Sequence, residues 1–302
     1  MNHFPPLNDI QAFVMAARQQ SFSLAADRLN VSPAYISKRI GLLEKHLSVR
    51  LFIRAARQVT LSPEGKVALL WSEQLLETME RMQAEINNEQ LIPKGKLRIV
   101  TSTGFGSHFI APIISQISHQ YPKLSIDLEL LDRPVDLISE GFDIELRVGG
   151  ELPQQMIAKR LATNQRILCA SPAYLQSQGT PTQLAELNHH RCIGIRERDQ
   201  TDGLWHLNSG TKQTSIQLTA PLTTNNGSVA KQWCLDGQGI MLRSIWNVQQ
   251  EINAGQLVRV LPQYAQPADV YALYPSRLET SAKLKVVVSK LEQALNQSAV
   301  TI

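Results

Sequence analysis

The sequence lacks any apolar run approaching the roughly 18–20 residues needed to span a bilayer, so no helical membrane span is expected. Its start, MNHFPPLNDI, has no basic cluster leading into an apolar stretch, so it does not read as a signal peptide. Cysteine is scarce. Cys169, Cys192 and Cys234 form an odd count without paired or metal-like spacing, which excludes a disulfide scaffold and a zinc module. All three sit in apolar contexts (ILCA, RCIGI, QWCL) and read as buried, inert thiols. The competing reading, oxidant sensing, needs an exposed thiolate of lowered pKa. Nucleotide fingerprints are missing as well: the GFG of 104–106 is not G-x-G-x-x-G, and no phosphate-binding loop occurs. His108, His119, His189, His190 and His206 have no nucleophile or acid partner at recognisable spacing. No catalytic residue, metal site or cofactor is therefore expected. What remains is a cytoplasmic, bacterial-style protein of 302 residues, long enough for two or three domains.

Charge is unevenly spread, although the net value is only +4. Residues 1–66 hold nine Lys and Arg against four acids, whereas residues 67–90 hold Arg81 against Glu73, Glu77, Glu80, Glu85 and Glu89. A basic head thus joins a nearly neutral body through an acidic segment, and a basic head suits a polyanion.

In the head, Leu7, Ile10, Phe13, Val14 and Ala17 recur at helical spacing. A second helix is expected around Ser23–Leu29, with Asn30 able to end it in a left-handed conformation. Ser32 then offers an N-cap oxygen and Pro33 fits the first helical position. Two helices joined by a three- or four-residue turn make a helix-turn-helix. In the third helix Ile36, Ile40, Leu43 and Leu47 make a buried stripe, and Ala34, Lys38, Gly41 and Lys45 point the opposite way. Ser32, Pro33, Ala34, Tyr35, Ser37 and Lys38 then form a small, hydroxylated and basic surface able to enter a major groove, with Arg39 nearer the stripe and suited to the DNA backbone. The alternative is a solvated face on an ordinary three-helix domain. LFIRAARQVTL reads as a two-stranded wing that sets Arg54 and Arg57 toward phosphate or the minor groove. Ser62-Pro63-Glu64 repeats the cap signal and opens a fourth helix.

The run from Phe13 through Ser21-Phe22-Ser23, Ala25-Ala26, Leu29, Ser37, Ile40, Leu43-Glu44, Leu51-Phe52, Arg54, Arg57 and Gly65 resembles the winged helix-turn-helix of LysR-type transcriptional regulators. One departure is Pro33, where many members carry a Gln that touches DNA; Tyr35 is the expected substitute. The resemblance implies a DNA-binding regulator, α+β overall. It implies a winged helix-turn-helix head (1–62), a long linker helix (63–90) and a two-lobed α/β effector-binding domain (91–302) built like periplasmic binding proteins.

In the linker, Leu75, Met79, Met82 and Ile86, extended upstream by Ala68 and Trp71, form a coiled-coil-like seam. The seam fits either packing on the body or pairing of chains. The resemblance implies an antiparallel homodimer through this helix, a two-fold related site on double-stranded DNA, and pairing of dimers into a homotetramer.

Pro93-Lys94-Gly95 punctuates the start of the body. Beyond it, KLRIVTS, SIDLELLD, DIELRVG, RILCA, GLWHL, SIQLTAPLTT, GIMLRS and DVYALYPS read as strands among helical segments, which argues for parallel α/β sheets. Following the resemblance, the first lobe is placed at about 91–161 plus 267–302 and the second at about 162–266, with a small effector between them. Thr101, Ser102 and Thr103 sit where a strand meets a helix start, a setting for a carboxylate or for ordinary loop polarity. Arg133, Arg147 and Arg243 each follow a strand, and Asn226 opens a helix of the second lobe. Each arginine alone fits a surface ion pair; together they favour a small anionic effector. The stretches RILCA-P-YL, RERD-T-G-W-L and GIMLRS-W are similar to those of family members that control tartrate and D-malate breakdown, which fits a C4 hydroxy-dicarboxylate. A rival reading is an enzyme or solute-binding protein that uses the body while the head only oligomerises.

Overall fold

Apolar spacing builds the head in the order the sequence suggests. In this computed structural model residues 4–55, 58–86, 93–196, 203–275 and 281–299 are described. The chain divides into two units, Met1–Leu91 and Ile92–Ile302. In the first, α1 (Leu7–Gln19) buries Ile10, Phe13, Val14 and Ala16. α2 (Phe22–Leu29) opens on Ser21, whose hydroxyl accepts from Leu24 N, and closes on left-handed Asn30. Ala25 and Ala26 are fully buried, and their small side chains let neighbouring helices approach. α3 (Pro33–Leu47) starts at Ser32, whose oxygen accepts from Tyr35 N at 3.1 Å, with Pro33 in the first turn. Ile36, Ile40 and Leu43 are buried, whereas Leu47, the expected end of that stripe, is exposed at the final turn. β1 (Phe52–Ala55) and β2 (Gln58–Leu61) pair antiparallel as the wing, and α4 (Pro63–Ile86) follows.

The second unit begins with β3 (Gly95–Thr101) and a helix in three stretches: α5 (Thr103–Phe105), a π-type turn at Gly106–Ile110, and α6 (Ala111–Gln120). Then come β4 (Leu124–Leu130), β5 (Ile144–Val148) and β6 (Ile157–Ala162). VDLISEGF, between β4 and β5, is a turn. The other lobe comprises β7 (Gln165–Ala170), α7 (Pro172–Gln178), β8 (Cys192–Ile195), β9 (Leu204–Ser209), β10 (Lys212–Gln217), β11 (Leu222–Thr224), α8 (Gly227–Leu235), β12 (Ile240–Ser244), α9 (Ile245–Asn253), β13 (Val258–Arg259) and β14 (Ala265–Pro267). The chain returns through β15 (Val270–Tyr274) and ends in α10 (Ala282–Ala299).

The first lobe's sheet has the order β4-β3-β5-β15-β6, and the second lobe's path runs β10-β9-β14-β7-β12-β8-β11. Both sheets are mixed, where parallel sheets were expected. β3 runs parallel to β4 and β5, and β12 to β8, as crossover helices require. β15 runs antiparallel to β5 and β6, because β6 leaves the lobe and β15 re-enters it. The hairpin β9–β10 and strand β14 add antiparallel pairs in the other lobe. Period-2 alternation explains the unbroken apolar run ILCA. Ile167 and Cys169 join the core on one face of β7, and Leu168 and Ala170 the core on the other.

Candidate nucleic-acid interface and ligand cleft

The first half of α3 presents Ser32, Pro33, Ala34, Ser37 and Lys38 to solvent, with Tyr35 and Arg39 half-buried beside them. Arg39 is engaged within the head. Its guanidinium donates to Asp9 Oδ1 at 3.2 Å and lies 4.9 Å from the centre of the Tyr35 ring. Asp9 is buried, so this pair fixes the pitch of α3 against α1. Tyr35 is held in turn beneath a cation, which orients its ring at the edge of the exposed face.

The far end of α3 is tied to the wing. The Glu44 carboxylate accepts from Leu51 N at 2.8 Å and from Phe52 N at 3.4 Å, with Arg50 alongside. Ser62 accepts from Gly65 N at 2.8 Å and donates to Arg50 O at 2.6 Å, anchoring the start of α4 to the same corner. A Cβ at Gly65 would collide with the Leu51 carbonyl, so only glycine lets α4 come this close. Arg54 lies in β1 opposite Val59; its side chain and all of Arg57 lie outside the described residues.

Along α4, Ala68, Leu69 and Leu76 pack on the head's core. Val67, Trp71, Leu75, Met82 and Ile86 are exposed, Trp71 at 59% and Ile86 at 72%. Ala68, expected in the seam, is thus turned toward the head, and Val67 takes the outer face. The helix carries one apolar face more than the head covers.

In the body, a cavity of 800 Å³ opens between the lobes. Ser102, Asp132 and the segment 147–151 line it from the first lobe; Arg166, His206, Asn208, Ser215 and Gln266 are among the residues lining it from the second. Arg166 is 5% exposed, donates to Gln266 Oε1 at 2.9 Å and reaches across the lobes to Val148 O at 3.4 Å. Arg147 pairs with Glu145 through two contacts of 3.0 Å and donates to Glu151 O. His206 Nδ1 and Ser215 Oγ are 2.7 Å apart. Arg147 and Arg166 line the cleft together with Asp132, Glu151, hydroxyls and amides, which offer donors and acceptors to a small oxygen-rich molecule.

Of the seven expected effector residues, Ser102 and Arg147 line this cavity. Thr103, Asn226 and Arg243 meet instead at a neighbouring junction of the lobes. There Asp132 accepts from Thr103 N at 2.9 Å through one oxygen and from Asn226 Nδ2 at 3.4 Å through the other. Asn226 also caps α8, and the Arg243 guanidinium packs against Gly104 and more closely against Gly227, where any side chain would displace it. The carboxylate expected at this helix start is supplied by the chain itself. Thr101 is fully buried and donates to Leu146 O at 2.8 Å, tying β3 to β5. Arg133 grips Glu140 through two bonds on the surface and holds that carboxyl below the ordinary carboxylate range. Neither Thr101 nor Arg133 lines the cleft, because each is satisfied by a partner that sequence spacing does not reveal. Asp132, Arg166, His206 and Gln266 were not anticipated. The signal for Arg166 was available: a charged residue directly ahead of the apolar run ILCA.

The three cysteines are buried. The neighbouring Cys234 thiol and burial push Cys169 well above its ordinary pKa, and burial pushes Cys192 up to about 12. Thiols in that state are protonated and unreactive. Among the described residues no group of His, Cys, Asp and Glu could hold a metal ion, and no helix is long and apolar enough to cross a membrane.

A winged helix-turn-helix and a two-lobed body around a polar cleft define a DNA-binding protein with a small-molecule domain. Residues 7–66 match the bacterial regulatory helix-turn-helix of the lysR family, and residues 92–296 match the LysR substrate binding domain. The chain belongs to the LysR family of transcriptional regulators. It is 44% identical over 293 residues to the HTH-type transcriptional regulator DmlR of Escherichia coli K12, covering 97% of this chain and 95% of that one. It is 40% identical over 291 residues to the HTH-type transcriptional activator TtdR of the same strain, covering 96% and 94%. Among solved structures it resembles CrgA, a LysR-type transcriptional regulator from Neisseria meningitidis, with TM-score 0.60 and 26% identity over 95% of this chain and 98% of that one. It also resembles the Vibrio cholerae virulence activator AphB, with TM-score 0.58 and 26% identity, covering 96% and 99%.

Proposed function

We propose that this regulator reads a two-fold related site on double-stranded DNA and changes its hold on that site when a small carboxylate enters the cleft. Ser32, Pro33, Ala34, Tyr35, Ser37 and Lys38 meet the major groove, Arg39 sets Tyr35 in place and adds charge at the rim, and Arg54 and Arg57 meet the backbone. The observation that carries this reading is the exposed hydroxylated and basic half of α3, on a helix tied to α1 through Arg39 and Asp9 and to the wing through Glu44. Residues 1–62 serve as the reading head, 63–90 as the linker and 91–302 as the effector-binding domain, with lobes of about 91–161 plus 267–302 and about 162–266. The exposed apolar face of α4 supports a homodimer through that helix, and dimers pair further through the body. The chain works without cofactor or catalysis, in the bacterial cytoplasm.

The effector is an anion, and a C4 hydroxy-dicarboxylate fits best. Its carboxylates engage Arg147 and Arg166, and its hydroxyl the Ser102 or Ser215 side of the cleft. One carboxylate competes with Asp132 for Thr103 N–H, Asn226 and the neighbouring Arg243, so that binding resets the junction between the lobes.

Two measurements test this. Duplexes selected from a random pool should share a two-fold motif and bind with an affinity that falls steeply with salt. D-malate or a tartrate at about 100 times its dissociation constant should stabilise the chain by about 2.7 kcal/mol. Salt-independent binding without sequence preference would remove the DNA reading, and no stabilisation by any C4 hydroxy acid would remove the effector reading.

A further inference from the structure

Asp9 sits in the first turn of α1 with its side chain 1% exposed, too deep to touch DNA. Its carboxylate accepts from Arg39 of α3 at 3.2 Å. The Arg39 side chain is 29% exposed and stands over the Tyr35 ring, at the i, i+4 spacing that puts two side chains on one helix face. Hydrogen bonding to Tyr35, and then the Asp9 charge, raise Arg39 above its ordinary pKa, so the guanidinium is held from both sides. Tyr35 in turn packs against the buried cluster of the head, and its backbone N–H donates to Ser32 Oγ. Stability does not account for this arrangement. Desolvating an ion pair costs about as much as the pair returns, and apolar residues in its place are often as stable or more so. The best-attested use of such a pair is to fix one arrangement against others. Here the arrangement fixed is that of Tyr35. On the first half of α3, Pro33 and Ala34 have no hydrogen-bonding side chain, and Ser32 Oγ is engaged in the cap. Tyr35, Ser37 and Lys38 remain to address base edges. Ser37 and Lys38 are exposed, whereas Tyr35 is half-buried and gripped from within.

We infer that Asp9 is a specificity-determining residue that never touches DNA: by holding Arg39 over the Tyr35 ring it aims Tyr35 at one base pair of each half-site, and it keeps the Arg39 charge from following a phosphate. The inference rests on the reading of α3 proposed above. Its two parts act on different kinds of binding. Contacts to base edges carry sequence preference, whereas a loose guanidinium binds any duplex alike. Released from Asp9, Arg39 adds about one phosphate contact per head on every sequence. At the same time Tyr35 loses the cation that sets its ring, and preference at its base pair relaxes. Asp9 thus acts as a positioning residue through Arg39 and Tyr35.

The test uses the full chain, a duplex selected from a random pool, single base-pair variants of that duplex and an unrelated duplex, each titrated over a range of salt. Tyr35→Phe removes the hydroxyl alone and marks the base pair that Tyr35 reads. Asp9→Asn keeps the size of the side chain and removes its charge. Asp9→Asn with Arg39→Gln removes both charges, so neither is left without its partner. Asp9→Asn should lower discrimination about tenfold at the Tyr35 base pair and at no other, tighten binding to the unrelated duplex, and steepen its salt slope by about one per head. The double variant should lose the same discrimination without the steeper slope. Adding Tyr35→Phe to Asp9→Asn should cost no further discrimination. Melting curves check that each head folds; should Asp9→Asn unfold it, the double variant decides at the same base pair. Weakening of every duplex alike, or intact discrimination at the Tyr35 base pair, would make Asp9 structural only and overturn the inference. A native chain that prefers no sequence would remove the reading of α3 and the inference with it. A native chain that does prefer one, with no base pair relaxed by Tyr35→Phe, would remove the inference alone.

Discussion

The head and the body carry function in different ways. The part of the head proposed to meet base edges is one stretch, Ser32–Arg39, and its neighbours on the helix are its neighbours in the chain. The body's cleft is assembled from Ser102, Asp132, 147–151, Arg166, Leu204, 206–208, 213–215 and 266–267, segments brought together by two sheets. A surface built from one helix needs only a fixed pitch, which Asp9 and Glu44 provide. A cleft built from many strands needs two lobes in register, so its chemistry can change when they shift. The head is made to be constant and the body to be variable.

Five changes test that contrast. Gly65→Val should have the largest effect, because a side chain there meets the Leu51 carbonyl. It should cost the head about 3 kcal/mol. Calorimetry should show an early transition and lost DNA binding, while D-malate still stabilises the rest; a uniform loss across both units would break the contrast. Arg166→Met removes a cleft guanidinium while keeping its bulk. Effector affinity should fall roughly 10- to 100-fold, from a charge-assisted contact of about 1.5–3 kcal/mol, with effector-free DNA binding intact. Ser37→Ala with Lys38→Ala should lower specific DNA affinity by about 1–3 kcal/mol and reduce the salt slope by about one, without moving the effector response.

Asp132→Asn works in the other direction. It removes a like charge beside the incoming carboxylate, so D-malate affinity should rise severalfold, by on the order of 1 kcal/mol. A loss of affinity would show that Asp132 holds the site together and does not compete for it. The smallest change concerns pH. Burial lowers the pKa of His190, whose ring meets the Tyr174 hydroxyl at 3.2 Å. The unfolded chain then takes up the proton first as pH falls below the ordinary histidine value near 6.5. Stability should be full above that pH and decline as pH drops toward the folded-state value. Melting curves between pH 8 and 5 should show that decline, and His190→Gln should flatten it.

The same contrast governs what could be read in advance. The caps Ser32 and Ser62, the Pro33 start, the stripe of α3 as far as Leu43 and the wing are local patterns, and each appears where spacing put it; Leu47 alone leaves the stripe. Asp9 escaped notice because its partner is thirty residues away on another helix. In the body most strands were legible, β6, β8, β13 and β14 excepted, but their neighbours were not. Thr101 bonds to a carbonyl 45 residues on, and Arg166 meets Gln266 only because β14 lies antiparallel to β7. Side chains at strand ends looked alike in sequence; the fold makes one a core tie, one a surface pair and one part of the cleft. The antiparallel return of β15 was hidden for the same reason, since nothing local records the direction in which a strand is entered.

That strand has a consequence for how the protein is made. β15 sits between β5 and β6, yet more than a hundred residues separate β6 from it in the chain. On the ribosome, β3, β4, β5 and β6 emerge with the middle of their sheet missing, while the whole of the second lobe is still to be synthesised. Both β5 and β6 expose an unpaired edge during that interval, the condition under which nascent chains associate wrongly. The first lobe to be translated is therefore the last to close, and the head, whose contacts are local, is ready long before the body that governs it.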